Sequence, residues 1–178
     1  MAIAIAQLEV EHASALRAFL DGLPDGDVTF IKEDILDPTV AEGWARSPGR
    51  TRISVAVESN AVVGLVSVRP LLGWSAHVGE LRLVVDPAAR GTGVGRGLAR
   101  HALREALETG LNKIVVEVVA EQEGAIRMFS ELGFRGEALL SDHIRDHSGE
   151  LRDLLVLAHS VGDEWSSMAS IGVEGEVA

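Results

Sequence analysis

Two arginines and four glycines lie close together in the segment from Arg90 to Gly97. An apolar strand is predicted just before them, over Leu81–Val85, and an amphipathic helix is predicted from Val94 onward. The free N–H groups and the positive dipole end at a helix N-terminus both favour anions. Backbone N–H groups and arginine side chains at one such point predict a site for a phosphate-bearing ligand.

The helix after the glycines is predicted because its apolar residues fall on one helical face. Gly110 is predicted to end this helix. Glycine disfavours a helix, so glycines at its start indicate either unusual backbone angles or a ligand pressed against the main chain. The alternative is a tight strand-to-helix turn with incidental glycines. The apolar face comprises Val94, Leu98, Ala99, Ala102, Leu103, Ala106 and Leu107.

The spacing of these glycines excludes two nucleotide-binding motifs. A Walker loop requires a Gly-Lys pair, which the sequence does not contain. A dinucleotide fingerprint requires G-x-G-x-x-G, but counting from Gly91 or Gly93 the last position is not glycine. The pattern that fits is Arg/Gln-x-x-Gly-x-Gly/Ala, present as Arg90–Gly95. This pattern resembles the acyl-CoA pyrophosphate loop of the GNAT superfamily of N-acetyltransferases.

A second segment carries the same resemblance. Leu111–Val119 is predicted to be a strand from its composition, and an amphipathic helix is predicted after it. The sequence from Gln122 to Phe134 resembles the second GNAT signature, Asn-x-x-Ala-x-x-Leu-Tyr-x-x-x-Gly-Phe. Gln122 replaces the Asn of that signature and Phe129 replaces the Tyr. The matching residues are Ala125, Gly133 and Phe134.

The predicted elements follow in the order strand, two helices, three strands, helix, strand, helix and two strands. This order resembles the GNAT fold over essentially residues 1–158. The resemblance implies an α/β (α+β) fold, a mixed central sheet of about seven strands flanked by about four helices. We expect a GNAT domain over residues 1–160 and an acidic C-terminal tail over residues 161–178.

Local patterns predict several connections in more detail. Ser59 and Asn60 are predicted to form a hairpin turn between two strands. A short helix is predicted over Pro38–Ala45, with Asp37 as its cap. Loops are predicted at residues 24–27 and 141–149, because both segments are polar and the first contains Pro and Gly.

The resemblance implies acetyl-CoA as the acetyl donor, and no metal is expected. In the family the pantetheine lies beside the fourth strand like an added strand. The glycine loop then holds the pyrophosphate, and the second signature lines the other side of the cofactor. The implied cofactor-binding residues are Leu83, Val84, Val85, Arg90, Gly91, Thr92, Gly93, Val94, Gly95, Arg96, Gln122, Ala125 and Phe129.

The implied reaction is direct attack of an amine on the thioester, with backbone N–H groups polarising its carbonyl. Glu80 is the first candidate for the general base, and a solvated glutamate at a strand edge is the alternative. Glu117 is the second candidate, against a polar position on an alternating strand. The signature tyrosine is the usual acid for the leaving thiolate, but the sequence contains no tyrosine. A water, Ser130 or no acid must then serve.

A metal site is the less favoured interpretation of two histidines and two aspartates near the C-terminus. Histidines four residues apart bind a metal well on a helix, whereas here a hairpin loop is predicted. By the family resemblance that loop is expected to border the acceptor. Trp44 and Trp74 are expected to pack, and the alternative for Trp74 is a wall of the acceptor pocket. His77 is either a proton relay or a surface residue. The four residues are Asp142, His143, Asp146 and His147.

Composition limits the possible functions. The net charge of −11 and the pI near 4.9 argue against general nucleic-acid binding. No membrane span, signal peptide or cysteine is present in the sequence, so we expect a cytoplasmic enzyme. The expected acceptor is a primary amine of a small molecule or, less favoured, of a protein, and a homodimer is expected. The alternatives are a non-catalytic acyl-CoA-binding or sensing module, and another phosphate-ligand protein.

Overall fold

Seven strands form one mixed sheet in this computed structural model, which describes residues 3–28, 31, 35 and 37–161. The strands are β1 Ala4–Gln7, β2 Arg52–Glu58, β3 Ala61–Pro70, β4 Val78–Val85, β5 Lys113–Val119, β6 Arg135–Arg145 and β7 Leu151–Ser160. The α-helices are α1 Ala13–Asp21, α2 Asp25–Val28, α3 Val40–Arg46, α4 Val94–Glu108 and α5 Glu123–Glu131. The sheet confirms the predicted fold class.

The strand order is β1-β2-β3-β4-β5-β7-β6. β4 and β5 are parallel and are connected through α4, as a parallel pair requires. Their paired positions are Val78–Leu81 and Lys113–Val116, and both strands continue beyond these residues. β5 with β7, and β6 with β7, are antiparallel. The carboxyl end of β4 therefore leads directly into the glycine segment.

The predicted hairpin turn between β2 and β3 is confirmed by its backbone angles. Ser59 has φ of 49° and Asn60 has φ of 67°. Two consecutive residues with positive φ are the requirement of a type I′ turn, whose twist matches that of the flanking strands. Asparagine tolerates this conformation better than most residues, so the local sequence predicts the turn correctly.

Two predicted loops are wrong in part, over residues 25–27 and 141–145. Residues 24–27 include the start of α2, whose N–H groups at Asp27 and Val28 donate to the Pro24 carbonyl at 2.8 and 3.0 Å. Proline is tolerated at a helix start because the N–H that it lacks would be unpaired there. Residues 141–149 include the end of β6, which pairs with β7 as far as Arg145. The side chains of a strand at a sheet edge are exposed and polar, so its sequence resembles that of a loop.

The short helix α3 begins two residues later than predicted. Thr39, not Asp37, is its N-cap residue. The Asp37 Oδ1 atom accepts hydrogen bonds from the Thr39 N–H at 2.8 Å and from the Thr39 hydroxyl at 2.7 Å. These bonds, the N–H bond first, lower the pKa of Asp37. Asp37 thus shapes the turn before the helix and leaves the helix N-terminus itself without a side-chain cap.

The described chain forms two compact units. The first comprises its described residues up to Ser67 together with Leu83–Ala99. Its core includes Leu16, Ile35 and Val55, none more than 1% exposed. The second unit comprises Val68–Arg82 and the described residues from Arg100, and its fully buried residues include Leu103, Ile114, Leu132 and Leu157.

The predicted apolar face of α4 is confirmed by burial. Leu98, Ala99, Ala102, Leu103 and Ala106 are at most 1% exposed. None of the helices in the described ranges has the length and apolar character required to cross a membrane. The predicted acidic tail lies outside the described residues, apart from Val161.

Gly133 ends α5 in a conformation that favours glycine. Its φ is +88°, and a Cβ atom there would lie 3.1 Å from two ring atoms of His159. His159 is 3% exposed, and neither of its ring nitrogens has a hydrogen-bond partner among the described residues. The ring also lies 5.3 Å, centroid to centroid, from that of Phe134. An added methyl group would therefore meet both an unfavourable backbone angle and a packed ring.

We expect Gly133→Ala to lower the free energy of unfolding by about 2–4 kcal/mol, because backbone strain and overpacking act together. Urea denaturation followed by circular dichroism measures this loss. Gly149→Ala is the matched control, because φ is +89° there and a Cβ would meet nothing within 4 Å. Equal losses at the two glycines would show that the His159 ring contributes nothing.

Candidate active site

The loop between β4 and α4 requires glycine for its backbone conformation. Gly91 has φ of +77° and Gly93 has φ of +97°. A Cβ atom at either position would meet nothing within 4 Å, so crowding does not explain the glycines. Positive φ explains them, since residues with a side chain rarely adopt it. Of the two sequence explanations, the unusual backbone angles are therefore observed directly.

Side-chain hydrogen bonds hold the loop in place. The Asp86 Oδ1 atom accepts from the Ala88 N–H at 2.8 Å, and the Thr92 hydroxyl donates to the Ala89 carbonyl at 2.6 Å. The Gly97 N–H donates to the Gly93 carbonyl at 2.9 Å, which begins the bonding pattern of α4. The first N–H groups of a helix have no partner within it and can bind an anion.

Arg90 is held at the base of this loop by two contacts. Its Nε atom donates to the Val85 carbonyl at 3.2 Å, and its Nη2 atom lies 2.6 Å from Asp27 Oδ2. The Arg90 side chain is half exposed. An anionic ligand at the loop would therefore meet an oriented arginine, but one that shares its charge with a carboxylate of α2.

The last residues of β4 adjoin this loop. Leu83, Val84 and Val85 follow the part of β4 that pairs with β5, and all three are partly buried. On the side of β3, the Asp86 N–H donates to the Val63 carbonyl at 3.0 Å. The end of β4 is thus anchored to β3 at the point where its pairing with β5 has ended.

The first candidate base, Glu80, lies between two arginines. Glu80 is 8% exposed. Its Oε2 atom accepts from Arg69 Nη2 at 2.9 Å, and its Oε1 atom accepts from Arg82 Nε at 3.2 Å and Nη2 at 3.1 Å. Both oxygens of the carboxylate are thus already hydrogen-bonded to cations.

The second candidate base, Glu117, lies on the same face of the sheet as Arg82. Leu81 pairs with Val116. Successive side chains of a strand point to opposite faces, so Arg82 and Glu117, the next residue of each strand, share the face opposite to that pair. Burial lowers the pKa of Arg82, and the charge of Glu117 acts in the opposite direction. Glu117 is exposed. The four residues Arg69, Glu80, Arg82 and Glu117 are called the arginine–glutamate cluster below.

Sequence analysis missed both arginines of this cluster. Arg82 is two residues from Glu80, and residues at that spacing share one face of a strand, so the sequence did contain a signal for it. Arg69 is on the preceding strand, and its contact with Glu80 depends on how β3 and β4 pair. No local pattern marks that contact.

The residues of the second signature differ in exposure. Phe129 is 2% exposed, and its ring meets that of Phe134 at 5.1 Å in an edge-to-face arrangement. Ala125 is partly buried. Gln122, the N-cap residue of α5, and Ser130 are exposed. Phe129 is thus a core residue, and Ser130 has the exposed hydroxyl of this helix.

A family model described as the acetyltransferase (GNAT) family matches residues 18–134, more than half of the chain. This chain belongs to the GNAT family. Both glycine-containing signatures lie within the matched residues, so the resemblance drawn from them is confirmed.

Relatives with curated names agree with this GNAT assignment. The uncharacterized N-acetyltransferase YjgM of Escherichia coli is 32% identical over 56% of this chain and 61% of that protein. A mycothiol acetyltransferase of Amycolatopsis mediterranei is 41% identical over 33% of this chain and 20% of that protein. The chain therefore spans about three fifths and one fifth of the lengths of these two relatives.

Solved structures show the same fold. The structure of YncA from Salmonella typhimurium with its cofactor acetyl-CoA has a TM-score of 0.75 and 21% identity. The match covers 92% of this chain and 96% of that one. At this identity the similarity establishes the GNAT fold.

Asp146, one of the residues considered for a metal, organises the turn between β6 and β7. Its Oδ1 atom accepts from the N–H groups of Ser148 at 3.0 Å and Glu150 at 2.9 Å, and from the Ser148 hydroxyl. The hydroxyl bond is the largest cause of its lowered pKa. Arg152 bonds its other oxygen. Across the described ranges, no three His, Cys, Asp or Glu side chains group as metal ligands.

The remaining candidate residues of this GNAT chain are mostly exposed, and Trp44 is the exception among them. His143 is exposed on β6, His147 is exposed in the following turn, and Asp142 lies at a strand irregularity with φ of 53°. Trp44 packs against the core of the first unit, as expected. Trp74 is 96% exposed and His77 is also exposed.

Proposed function

We propose that this protein is an acetyl-CoA-dependent N-acetyltransferase that acts on a primary amine of a small molecule. The observation that carries the proposal is the glycine loop at the start of α4, with its two positive φ angles and its oriented arginine. Membership of the GNAT family supports acetyl-CoA as the ligand of this loop. A cytoplasmic location and a homodimer stay predictions.

Binding of the donor is assigned to two stretches of backbone. We propose that the pyrophosphate binds N–H groups of Gly91–Gly95 together with Arg90 and Arg96, since a helix N-terminus and arginines both favour phosphate. Leu83–Val85 would pair with the pantetheine, because amide groups can add to an open strand. Gln122 and Ala125 stay predicted cofactor contacts. Phe129 was predicted as one too, but it is 2% exposed and packs against Phe134, so no cofactor contact is assigned to it.

The chemical step is attack of the neutral amine nitrogen on the thioester carbonyl carbon. The N–C bond forms, the C–S bond breaks, and the electron pair of that bond leaves with the sulfur as a thiolate. One proton must leave the nitrogen, and we assign it to Glu117, directly or through water. Glu117 is exposed and lies beside Arg82, whereas Glu80 is 8% exposed and both of its oxygens accept hydrogen bonds from arginines. General bases must reach the proton that they remove.

The departing thiolate has no tyrosine to protonate it. The tyrosine position of the GNAT signature is Phe129, and the sequence has no tyrosine elsewhere. Protonation is therefore assigned to water or to the exposed Ser130 hydroxyl. A thiol has a pKa of about 8.5, so its anion leaves readily near neutral pH even without an acid. The same absence supports a second candidate function, a non-catalytic acyl-CoA-binding or sensing module.

Two measurements test the proposed function. We expect isothermal titration calorimetry to detect acetyl-CoA binding, and a thiol-reactive dye to detect CoA release with members of an amine panel. Binding without thiol release from any amine would support the sensing module instead. No heat up to millimolar acetyl-CoA would contradict both functions. Reactions without protein and without amine are the controls for spontaneous hydrolysis.

A further inference from the structure

The arginine–glutamate cluster leaves one arginine oriented and half exposed. Arg69 donates to Glu80 through Nη2, and its side chain is 54% exposed. Its other guanidinium nitrogens have no partner among the residues that the structure describes. Glu80, by contrast, is only 10% exposed in its side chain and is itself fixed by Arg82. A buried carboxylate therefore anchors one edge of the Arg69 guanidinium and leaves the rest accessible.

The two arginines and two glutamates of the cluster make it neutral overall. Arg82 interacts with both Glu80 and Glu117 and has 22% of its side chain exposed. Arg69 bonds Glu80 alone among the described glutamates and has 54% of its side chain exposed. Arg69 is therefore the arginine of the cluster that a ligand can reach. An oriented guanidinium is well suited to bind a carboxylate through two parallel hydrogen bonds.

We propose that Arg69 binds a carboxylate of the acceptor, so that the acceptor is an amino acid or a similar small amine with an acid group. This inference rests on the proposed function, because it names the acceptor of that reaction. Glu117 is exposed on the same face and complements the ammonium group of such an acceptor before its deprotonation. Arg69 lies opposite Glu80, and Glu117 lies two strands away and two residues further along, hence about 12 Å from Arg69 in backbone. Two long side chains can reach a small zwitterion across that distance.

A purely structural ion-pair network is the competing explanation of the cluster. It explains why Glu80 is buried and paired, because a buried charge needs partners. It gives no role to the exposed part of Arg69, since an exposed pair adds little stability. The two explanations differ in one observable, the dependence of acceptor KM on a carboxylate.

The unmodified protein provides the first test. Each amino acid of a panel is compared with its own carboxamide, which has nearly the same size but lacks the negative charge. We expect kcat/KM for thiol release to be at least about 10-fold higher for the acid, as one charge-assisted hydrogen bond would give. Equal or better turnover of the amides would overturn the inference and leave the acetyltransferase function standing. Acetyl-CoA binding without thiol release from any amine would reject both.

Arg69→Gln provides the second test. We expect KM for the acid to rise by about 10- to 100-fold, with kcat and KM for the amide changed less than about threefold. Glu80 keeps Arg82 as a partner in this variant. Partial unfolding would lower the turnover of acid and amide equally, so it would not imitate a selective change in KM. An unchanged KM for the acid would overturn the inference.

Two further variants complete the design. Arg69→Lys keeps the charge but loses the planar fork, so its KM for the acid should lie between those of the wild type and Arg69→Gln. Arg46→Gln is the matched control, because Arg46 is also an exposed arginine paired with a glutamate, Glu42 at 2.6 Å. We expect this control to leave both KM values unchanged. Equal effects of Arg46→Gln and Arg69→Gln on KM would assign the change to net charge and overturn the inference.

Discussion

Replacing Gly93 by valine is expected to weaken acetyl-CoA binding by roughly 100-fold or more, the equivalent of losing about two backbone hydrogen bonds to phosphate. Gly93 has φ of +97°, and its carbonyl accepts the first hydrogen bond of α4. A β-branched residue strongly disfavours this angle, so the loop must change its backbone to accommodate valine. The N–H groups that we assign to the pyrophosphate would then point in other directions.

The matched control for this substitution is Gly49→Val. Gly49 also has a positive φ, +65°, and a Cβ atom there would meet nothing within 4 Å. Each substitution is therefore expected to cost about 1–3 kcal/mol of stability through backbone strain. Only Gly93→Val is expected to lose acetyl-CoA binding. Calorimetry at a temperature well below both unfolding midpoints separates these two effects.

Two outcomes would contradict this prediction. Wild-type acetyl-CoA affinity in Gly93→Val would show that the loop does not bind the phosphates. Equal losses of affinity in both variants would show that global destabilisation, not loop geometry, lowers binding. Either result would show that the glycine loop does not support the proposed function.

The features that sequence predicts well are those that depend on neighbouring residues. Glycine is unfavourable at a helix start, so Gly91 and Gly93 indicated either unusual backbone angles or a ligand pressed against the main chain, and both have positive φ. The turn at Ser59 and Asn60 was predicted for a similar reason, and both residues have positive φ. Such conformations are decided within a few residues, so a single sequence contains the information needed.

Contacts between distant residues were not predicted. Arg90 lies 63 residues from Asp27 in the chain, yet their side chains meet at 2.6 Å. Arg69 meets Glu80 because β3 and β4 are neighbours in the sheet. A one-residue change of strand register would move every side chain to the opposite face, so such contacts require the sheet itself.

The loop predicted at residues 141–149 is wrong over residues 141–145 for a different reason. The end of β6 is mostly exposed, and its register with β7 shifts between Leu140 and Ile144. Polar side chains on an edge strand are hydrated by solvent, and they discourage pairing of that strand with other chains. Such a strand lacks the apolar alternation from which strands are recognised, and Asp142 has the positive φ usual in loops.

Replacing Glu80 by glutamine is expected to lower the free energy of unfolding by about 2–3 kcal/mol. The substitution keeps the size of the side chain but removes the charge that two arginines share. Arg82, with 22% of its side chain exposed, would lose part of its compensation in a poorly hydrated position. Arg69 is more exposed and can turn to solvent, so the expected loss is less than that for a fully buried pair.

Glu137→Gln is the matched control for stability, because Glu137 bonds Lys113 through both oxygens at 2.7 Å but both side chains are partly exposed. Exposed pairs contribute at most about 1 kcal/mol, so this loss should be clearly smaller.

The turnover number separates the roles of the two candidate bases. We expect Glu117→Gln to lower kcat by about 100-fold or more and Glu80→Gln to lower it far less, since only Glu117 is assigned the proton of the amine. A large loss of kcat in Glu80→Gln alone would return the base to Glu80 and would require one of its arginines to move away during turnover.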